Sequence, residues 1–237
     1  MKKKCLIVAA SVAAILAAPA ALATCVKPQL LFFGDDTGVI AWQAPRIDSP
    51  LDPNSARLAV HVLNQDGNDY AGAYNDCTGI NGKLVGAVKN LSFDFQNETA
   101  NPAVHIGAGA PRYSVDIDSD GDGLYNFSAF LSAFHCNVPL SENPGWSRAD
   151  FTGRVTAGCS IFVDNVQYTS DGVKSAWKLY AEANPTHKVM TWLGPAYLVM
   201  DEPGTAFVDR LAFHNKMFVQ SGTGSGAIKN CSSEASC

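Results

Sequence analysis

Short segments in which apolar and polar residues alternate dominate the chain after residue 24. Residues 57–63 alternate and stop at the polar run 64–69, and residues 91–95 and 113–117 alternate in the same way. A period of two places successive side chains on opposite faces of a β-strand. We therefore predict half-buried strands at these three places, each with one face on a core.

Other apolar runs lie at residues 160–163, 196–200 and 206–213. The last two are separated by Asp201-Glu202-Pro203-Gly204, a turn sequence that predicts a hairpin. One segment has helical spacing instead: Val173, Trp177 and Tyr180 follow an N-cap candidate at residues 170–171, and Asn184-Pro185 ends the pattern. Trp177 is expected in the core. The pattern predicts a mostly β fold, an antiparallel β-sandwich of jelly-roll type with one short covering helix near 171–184.

The N-terminus has the pattern of an export signal. Lys2, Lys3 and Lys4 precede an apolar run that is too short for a stable membrane anchor, and residues 21–23 fit a signal peptidase site. We predict a signal peptide at 1–23 of bacterial type, one β-sandwich domain at 24–220, and a Gly- and Ser-rich tail at 221–237. An uncleaved anchor, or a lipoprotein at Cys25, stays open as an alternative.

Charge and hydropathy narrow the range of partners. Removal of the signal takes the formal net charge from -5 to -8, since three lysines are lost. Nucleic acid and anionic membranes bind basic surfaces, so neither is expected as a partner. No second apolar stretch is long enough for a membrane span. The expected location is secreted, periplasmic or at the cell surface.

The cysteines predict disulfides. Apart from Cys5 in the signal there are six, an even number in an oxidising compartment, and fifteen pairings are possible. Two local pairs are suggested by the chain, Cys136 with Cys159 and Cys231 with Cys237. The other two cysteines are Cys25 and Cys77.

An aspartate run at residues 116–122 is the most chemically distinctive segment. Carboxylates at alternate positions repel one another unless they surround a hard cation or point into solvent. Calcium prefers such oxygen ligands, so we predict a calcium site. The candidate ligands are Asp116, Asp118, Asp120, Asp122 and Asn126.

From Asp118 onward this run resembles the first half of an EF-hand or dockerin calcium loop. Asp118, Asp120 and Asp122 stand at ligand positions of that loop and Gly123 at its sharp turn, but Ala129 replaces the bidentate acid. The alternative is a metal-free hairpin turn between residues 113–117 and 124–130.

The two ends of the mature chain resemble those of jelly-roll carbohydrate-binding modules. The matching patches are residues 31–38 followed by Trp42, and residues 207–213. The resemblance implies that Asp36 and Asp209 share a structural calcium ion, and that exposed aromatic rings stack on sugars. The ring candidates beside turn residues are Trp42, Trp146 and Trp192, with burial in the core as the alternative for each.

The function expected from these features is non-catalytic binding of an extracellular polysaccharide or cell-surface component. A structural or adhesive surface protein is the first alternative, and a secreted glycan-active enzyme is the second. No HExxH or GxSxG motif occurs in the chain. A glycosidase needs only two carboxylates, so the enzyme alternative stays open.

Overall fold

The structure is a computed structural model. It describes residues 30–34, 38–43, 55–62, 70–75, 79–96, 111–136, 146–153, 159–190, 196–221 and 226–230. Several predictions fall outside these residues: the signal peptide, the cysteines other than Cys136 and Cys159, Asp36 and Trp192.

The described residues form two antiparallel sheets. The eight-stranded sheet contains β1 (Leu31–Gly34), β4 (Ala71–Tyr74), β12 (Tyr197–Met200), β6 (Arg112–Asp118), β7 (Phe127–Ser132), β9 (Ser160–Val163) and β10 (Val166–Thr169) in that order, with β11 (Lys188–Val189) paired to β6. The seven-stranded sheet contains β15 (Gly226–Asn230), β14 (Lys216–Ser221), β3 (Ser55–Val62), β13 (Gly204–Phe213), β5 (Leu91–Gln96) and β8 (Trp146–Asp150), with β2 (Val39–Gln43) paired to β3.

One hydrophobic core joins the two sheets, which confirms the predicted β-sandwich. Tyr113 of the eight-stranded sheet lies 5.0 Å from Phe93 and 4.8 Å from Phe213 of the other sheet, measured between ring centroids. Its hydroxyl also donates to the backbone oxygen of Ser92 at 2.9 Å. The chain crosses repeatedly from one sheet to the other, as a jelly roll requires.

The predicted hairpin across residues 201–204 is wrong. β12 pairs with β4 and β6, whereas β13 pairs with β3, β5 and β14 in the other sheet. The turn sequence therefore marks a crossover between sheets. Turn chemistry fixes where the chain reverses, but the partner of each strand depends on which sheet completes its core face.

Two of the predicted half-buried strands are buried on both faces. In β5, the polar residues Ser92, Asp94 and Gln96 are as buried as the apolar residues between them, and in β6 the same holds for Ser114 and Asp116. Alternation identified the core-facing side chains correctly. It does not report what lies over the opposite face.

The single α-helix among the described residues is α1 (Ala176–Ala183), inside the predicted range, and short 3-10 helices lie at Val85–Ala87 and Ala133–His135. The N-cap of α1 is Ser175, whose side chain accepts from Lys178 N, so the predicted N-cap at residues 170–171 is wrong. The carboxylate of Asp171 instead accepts from Val173 N and Lys174 N in the turn before the helix. Trp177 is buried as predicted, and its indole N–H donates to the oxygen of Val85 at 2.9 Å. The helix therefore covers one end of the core.

Cys136 and Cys159 form a disulfide, as predicted, with their sulfurs 2.09 Å apart. The bond joins the end of a short 3-10 turn at Ala133–His135 to the start of β9. Within the described part of the chain, no helix has the length and apolar character needed to cross a bilayer.

Candidate functional site

The aspartate run begins in the last residues of β6 and continues into the connection to β7. These strands pair in register from Arg112 opposite Ser132 to Ile117 opposite Phe127, and Asn126 N donates to the oxygen of Ile117 at 2.9 Å. The segment is therefore a hairpin with an acidic turn, as the metal-free alternative proposes. A hairpin turn and a metal site are not mutually exclusive.

The turn gathers three carboxylates. Asp118, Asp120 and Asp122 each offer an oxygen, and these oxygens lie within 4.8 Å of one another. Asp118 is buried and accepts from Gly121 N at 2.6 Å and from Gly123 N at 3.1 Å, while the other two are exposed. Backbone N–H groups thus hold the buried carboxylate in place, and the exposed pair remains beside it.

The other predicted metal ligands lie elsewhere. The carboxylate of Asp116 accepts from Ser128 Oγ at 2.9 Å, and Asn126 Oδ1 accepts from Ser119 N at 2.6 Å, so both side chains brace the hairpin. Asp209 is buried in β13 of the seven-stranded sheet, while β1, which precedes Asp36, is in the other sheet. A shared ion between Asp36 and Asp209 stays a prediction.

A second feature is a groove on the outer face of the eight-stranded sheet, the face turned away from the core. It consists of two adjacent cavities of about 510 Å³ and about 310 Å³, which share Phe130 of β7 and Phe162 of β9 as walls. These two phenylalanines are register partners on neighbouring strands. We call this feature the aromatic groove.

Polar side chains surround the aromatic groove. The first cavity is lined also by Arg112, Ser132, His135, Asp201 and Glu202. The second is lined also by Tyr125, Phe127, Ser128, Asp164 and Asn165. Aromatic faces with a few convergent polar groups are typical of small-molecule and sugar sites.

Two contacts fix the first cavity. The guanidinium of Arg112 binds Asp201 through two hydrogen bonds of 2.5 and 2.6 Å, and it lies over the Phe130 ring, 5.0 Å from its centroid. The His135 ring lies 4.7 Å from that of Phe162, and partial burial lowers the pKa of His135. The neutral form of His135 is therefore favoured, and the guanidinium of Arg112 is paired with the carboxylate of Asp201.

The tryptophans do not contribute to this groove. Trp146 is only 1% exposed, so its ring cannot stack on a sugar, and the prediction that it is a binding platform is wrong. It lies on the side of β8 opposite the core. Its position beside Pro144-Gly145 in the sequence did not indicate that this side of the strand is buried. Trp42 is half-buried against the core next to Phe32, and it remains the one tryptophan of the three that is partly accessible among the described residues.

Sequence reasoning did not single out Phe130 and Phe162, although a signal was present. In β7, Ala129 and Leu131 face the core, which places Phe130 on the opposite face with Ser128 and Ser132. In β9, Ile161 and Val163 leave Phe162 in the same situation. An aromatic residue at a polar position of an alternating strand is the pattern that identifies an outward ring.

The outer face of the seven-stranded sheet carries a different set of side chains. Asp94 of β5 is fully buried, and it contacts Arg148 at 3.0 Å and Arg210 at 3.5 Å. Arg148 also donates to Ser92 Oγ at 2.7 Å. Burial raises the pKa of Asp94, while the two arginines act in the opposite direction. We call this set the buried charge layer.

Fold and site together define a β-sandwich with an acidic hairpin turn and an outward aromatic groove on one sheet. No protein-family model, curated protein or solved structure matches this chain.

Proposed function

We propose that this protein is an exported, non-catalytic binding domain that recognises an extracellular polysaccharide through the aromatic groove. The observation that carries the proposal is the pair of outward phenylalanine rings, Phe130 and Phe162, at the centre of two joined cavities. The apolar C–H face of a sugar ring packs on such rings, and its hydroxyls bond to polar groups at the edges.

Exposure of the central ring supports this assignment. Phe130 is 42% exposed although it lies in the middle of a paired strand, between register partners on both sides. Burial of an exposed phenylalanine by a ligand removes apolar surface from water and is favourable. Export through the segment 1–23 would bring the groove to extracellular polymers.

The test is binding to immobilised plant, fungal and bacterial polysaccharides by the wild type and two matched variants. Phe130→Ala removes a ring of the groove, whereas Phe32→Ala removes a ring of nearly equal exposure, 40%, that packs on Trp42 in β2. We expect Phe130→Ala to weaken binding about tenfold, which corresponds to about 1.4 kcal/mol. Phe32→Ala should stay within about twofold of the wild type.

Absence of binding to every polysaccharide would contradict the proposal and favour a structural surface protein. Loss of binding in Phe32→Ala but not in Phe130→Ala would indicate that the polysaccharide binds at Trp42 instead of the aromatic groove. Release of shortened glycans from the immobilised polymers would instead support the enzyme alternative.

We also propose that the acidic turn binds calcium and stabilises the domain. The support is the convergence of the oxygens of Asp118, Asp120 and Asp122. A ligand that binds only the folded state raises its stability by mass action. Calcium should therefore raise the melting temperature of protein stripped with EDTA.

A double variant, Asp120→Asn with Asp122→Asn, should abolish this calcium response, since it removes two of the three charges. Asp164→Asn, in another exposed turn, is the matched control and should keep it. An unchanged melting temperature in calcium, or an equal response in the double variant, would leave only the metal-free turn.

A further inference from the structure

We infer that the aromatic groove discriminates against polyanionic polysaccharide chains, an inference that rests on the proposed function. The first step is the charge of the lining. Among the described residues that line the groove, Arg112 alone carries a positive side chain, and its guanidinium is engaged by both oxygens of Asp201.

The remaining charges are negative and lie in both cavities. Glu202 lines the first cavity and Asp164 the second, so a chain that occupies both meets a carboxylate in each. A uronate or sulfate group near either carboxylate is repelled, because like charges at short range disfavour each other even in water. The carboxylates accept hydrogen bonds from sugar hydroxyls equally well in a neutral chain.

The surroundings of the second cavity add to this field. Ser128, which lines it, donates to the buried carboxylate of Asp116, and the turn with Asp118, Asp120 and Asp122 follows directly along the same hairpin. The excess of carboxylates makes the potential around the groove negative, which disfavours polyanionic chains.

A cationic chain is compatible with these carboxylates, so the discrimination acts against anionic chains alone. The apolar C–H faces of neutral sugars pack on Phe130 and Phe162, which line both cavities, without any charge interaction.

The experiment compares neutral and anionic forms of the same backbone by affinity electrophoresis of the full-length protein. The probes are hydroxyethyl and carboxymethyl cellulose, dextran and dextran sulfate, and methyl-esterified and de-esterified polygalacturonate. We expect at least one neutral probe to bind, and its anionic counterpart to bind at least about tenfold more weakly at low salt. Raising the salt from about 20 to about 500 mM should narrow this difference, because salt screens exposed charges.

Two charge variants connect the discrimination to the groove. Glu202→Gln should narrow the neutral-to-anionic ratio about threefold, since one repulsive charge is lost. Glu182→Gln removes an exposed carboxylate of α1 that pairs with Lys174, outside the groove, and should leave the ratio unchanged.

The outcomes separate the two proposals. If no probe binds, the proposed function is overturned and the selectivity falls with it. If a polyanion binds as well as or better than its neutral counterpart, and Phe130→Ala weakens that binding, the function stands and the inferred discrimination against polyanions is overturned. Equal neutral-to-anionic affinity ratios for the wild type and Glu202→Gln also overturn the inferred discrimination.

Discussion

The outer faces of the two sheets carry aromatic and charged side chains in opposite ways. On the eight-stranded sheet, the aromatic groove leaves Phe130 42% exposed and places charged groups around its edge. On the seven-stranded sheet, Trp146 and Asp94 are buried, and the carboxylate is held by two arginines. Exposed rings contribute little to folding and remain available for binding, whereas buried polar groups stabilise only while every partner is present.

The largest expected difference between the faces concerns their aromatic residues. Trp146→Ala should lower the free energy of unfolding by about 3 to 5 kcal/mol, because it empties a buried site. Phe130→Ala should lower it by less than about 1.5 kcal/mol, since the ring is partly in water in the folded state. Urea denaturation of both variants measures the two changes in unfolding free energy. Equal decreases would contradict the proposed difference between the two outer faces.

Removal of one charge from the buried charge layer should have an effect of similar size. Asp94→Ala leaves Arg148 and Arg210 without the carboxylate that both contact, and should cost about 3 to 5 kcal/mol. Lys174→Ala breaks the exposed ion pair with Glu182 and should cost less than about 1 kcal/mol. Chemical denaturation distinguishes them, and a stable Asp94→Ala protein would mean that the layer is dispensable.

The disulfide should rank next, and it affects the groove directly. Cys136 follows His135 and Cys159 precedes β9, so the bond holds together the His135 and Phe162 walls of the first cavity. A double Cys136→Ser and Cys159→Ser variant opens a loop of sequence separation 23 and should lose about 3 kcal/mol.

Glycan affinity of this double variant, measured where it is still folded, should also fall. If the stability falls while the affinity stays at the wild-type value, the two walls are positioned by the sheet and not by the disulfide.

The smallest expected effect is on pH dependence. His214, between β13 and β14, accepts from Lys89 N through Nδ1 at 3.1 Å, and burial, with Lys83 and Lys89, lowers its pKa from 6.5. The unfolded chain therefore binds the proton more tightly. The contribution of neutral His214 to the free energy of unfolding is complete above pH 6.5 and is lost as the pH falls below that value.

His214→Asn keeps a side-chain acceptor and tolerates the positive φ of 57° at this turn. It should flatten the decline of unfolding free energy below pH 6.5 more than His135→Asn does at the groove edge, since His135 is more accessible. Parallel curves for the wild type and His214→Asn would contradict the assignment.

Much of the fold follows from alternation in the sequence. The strand positions around residues 58, 93 and 115, the core position of Trp177 and the pairing of Cys136 with Cys159 were predictable, because each depends on local periodicity or spacing. The crossover at residues 201–204 was not predictable, because local turn chemistry does not determine the partner strand.

The candidate site was predictable only in part. The convergence of Asp118, Asp120 and Asp122 follows from their spacing around one short turn, whereas Asp116 lies within β6 and contacts Ser128 instead. The aromatic groove requires β7 and β9 to be neighbours, although β8 between them in the sequence belongs to the other sheet. Trp146 and Phe130 both occupy outer faces, and the sequence does not show which face is covered.

The most direct test of the central claim is a crystal structure of the protein with a neutral oligosaccharide, taken from the polysaccharide that binds best. The account predicts sugar rings against Phe130 and Phe162, with hydroxyls bonded to Glu202 or Asp164. A sugar bound at Trp42, or on the seven-stranded sheet, with the groove empty would contradict it.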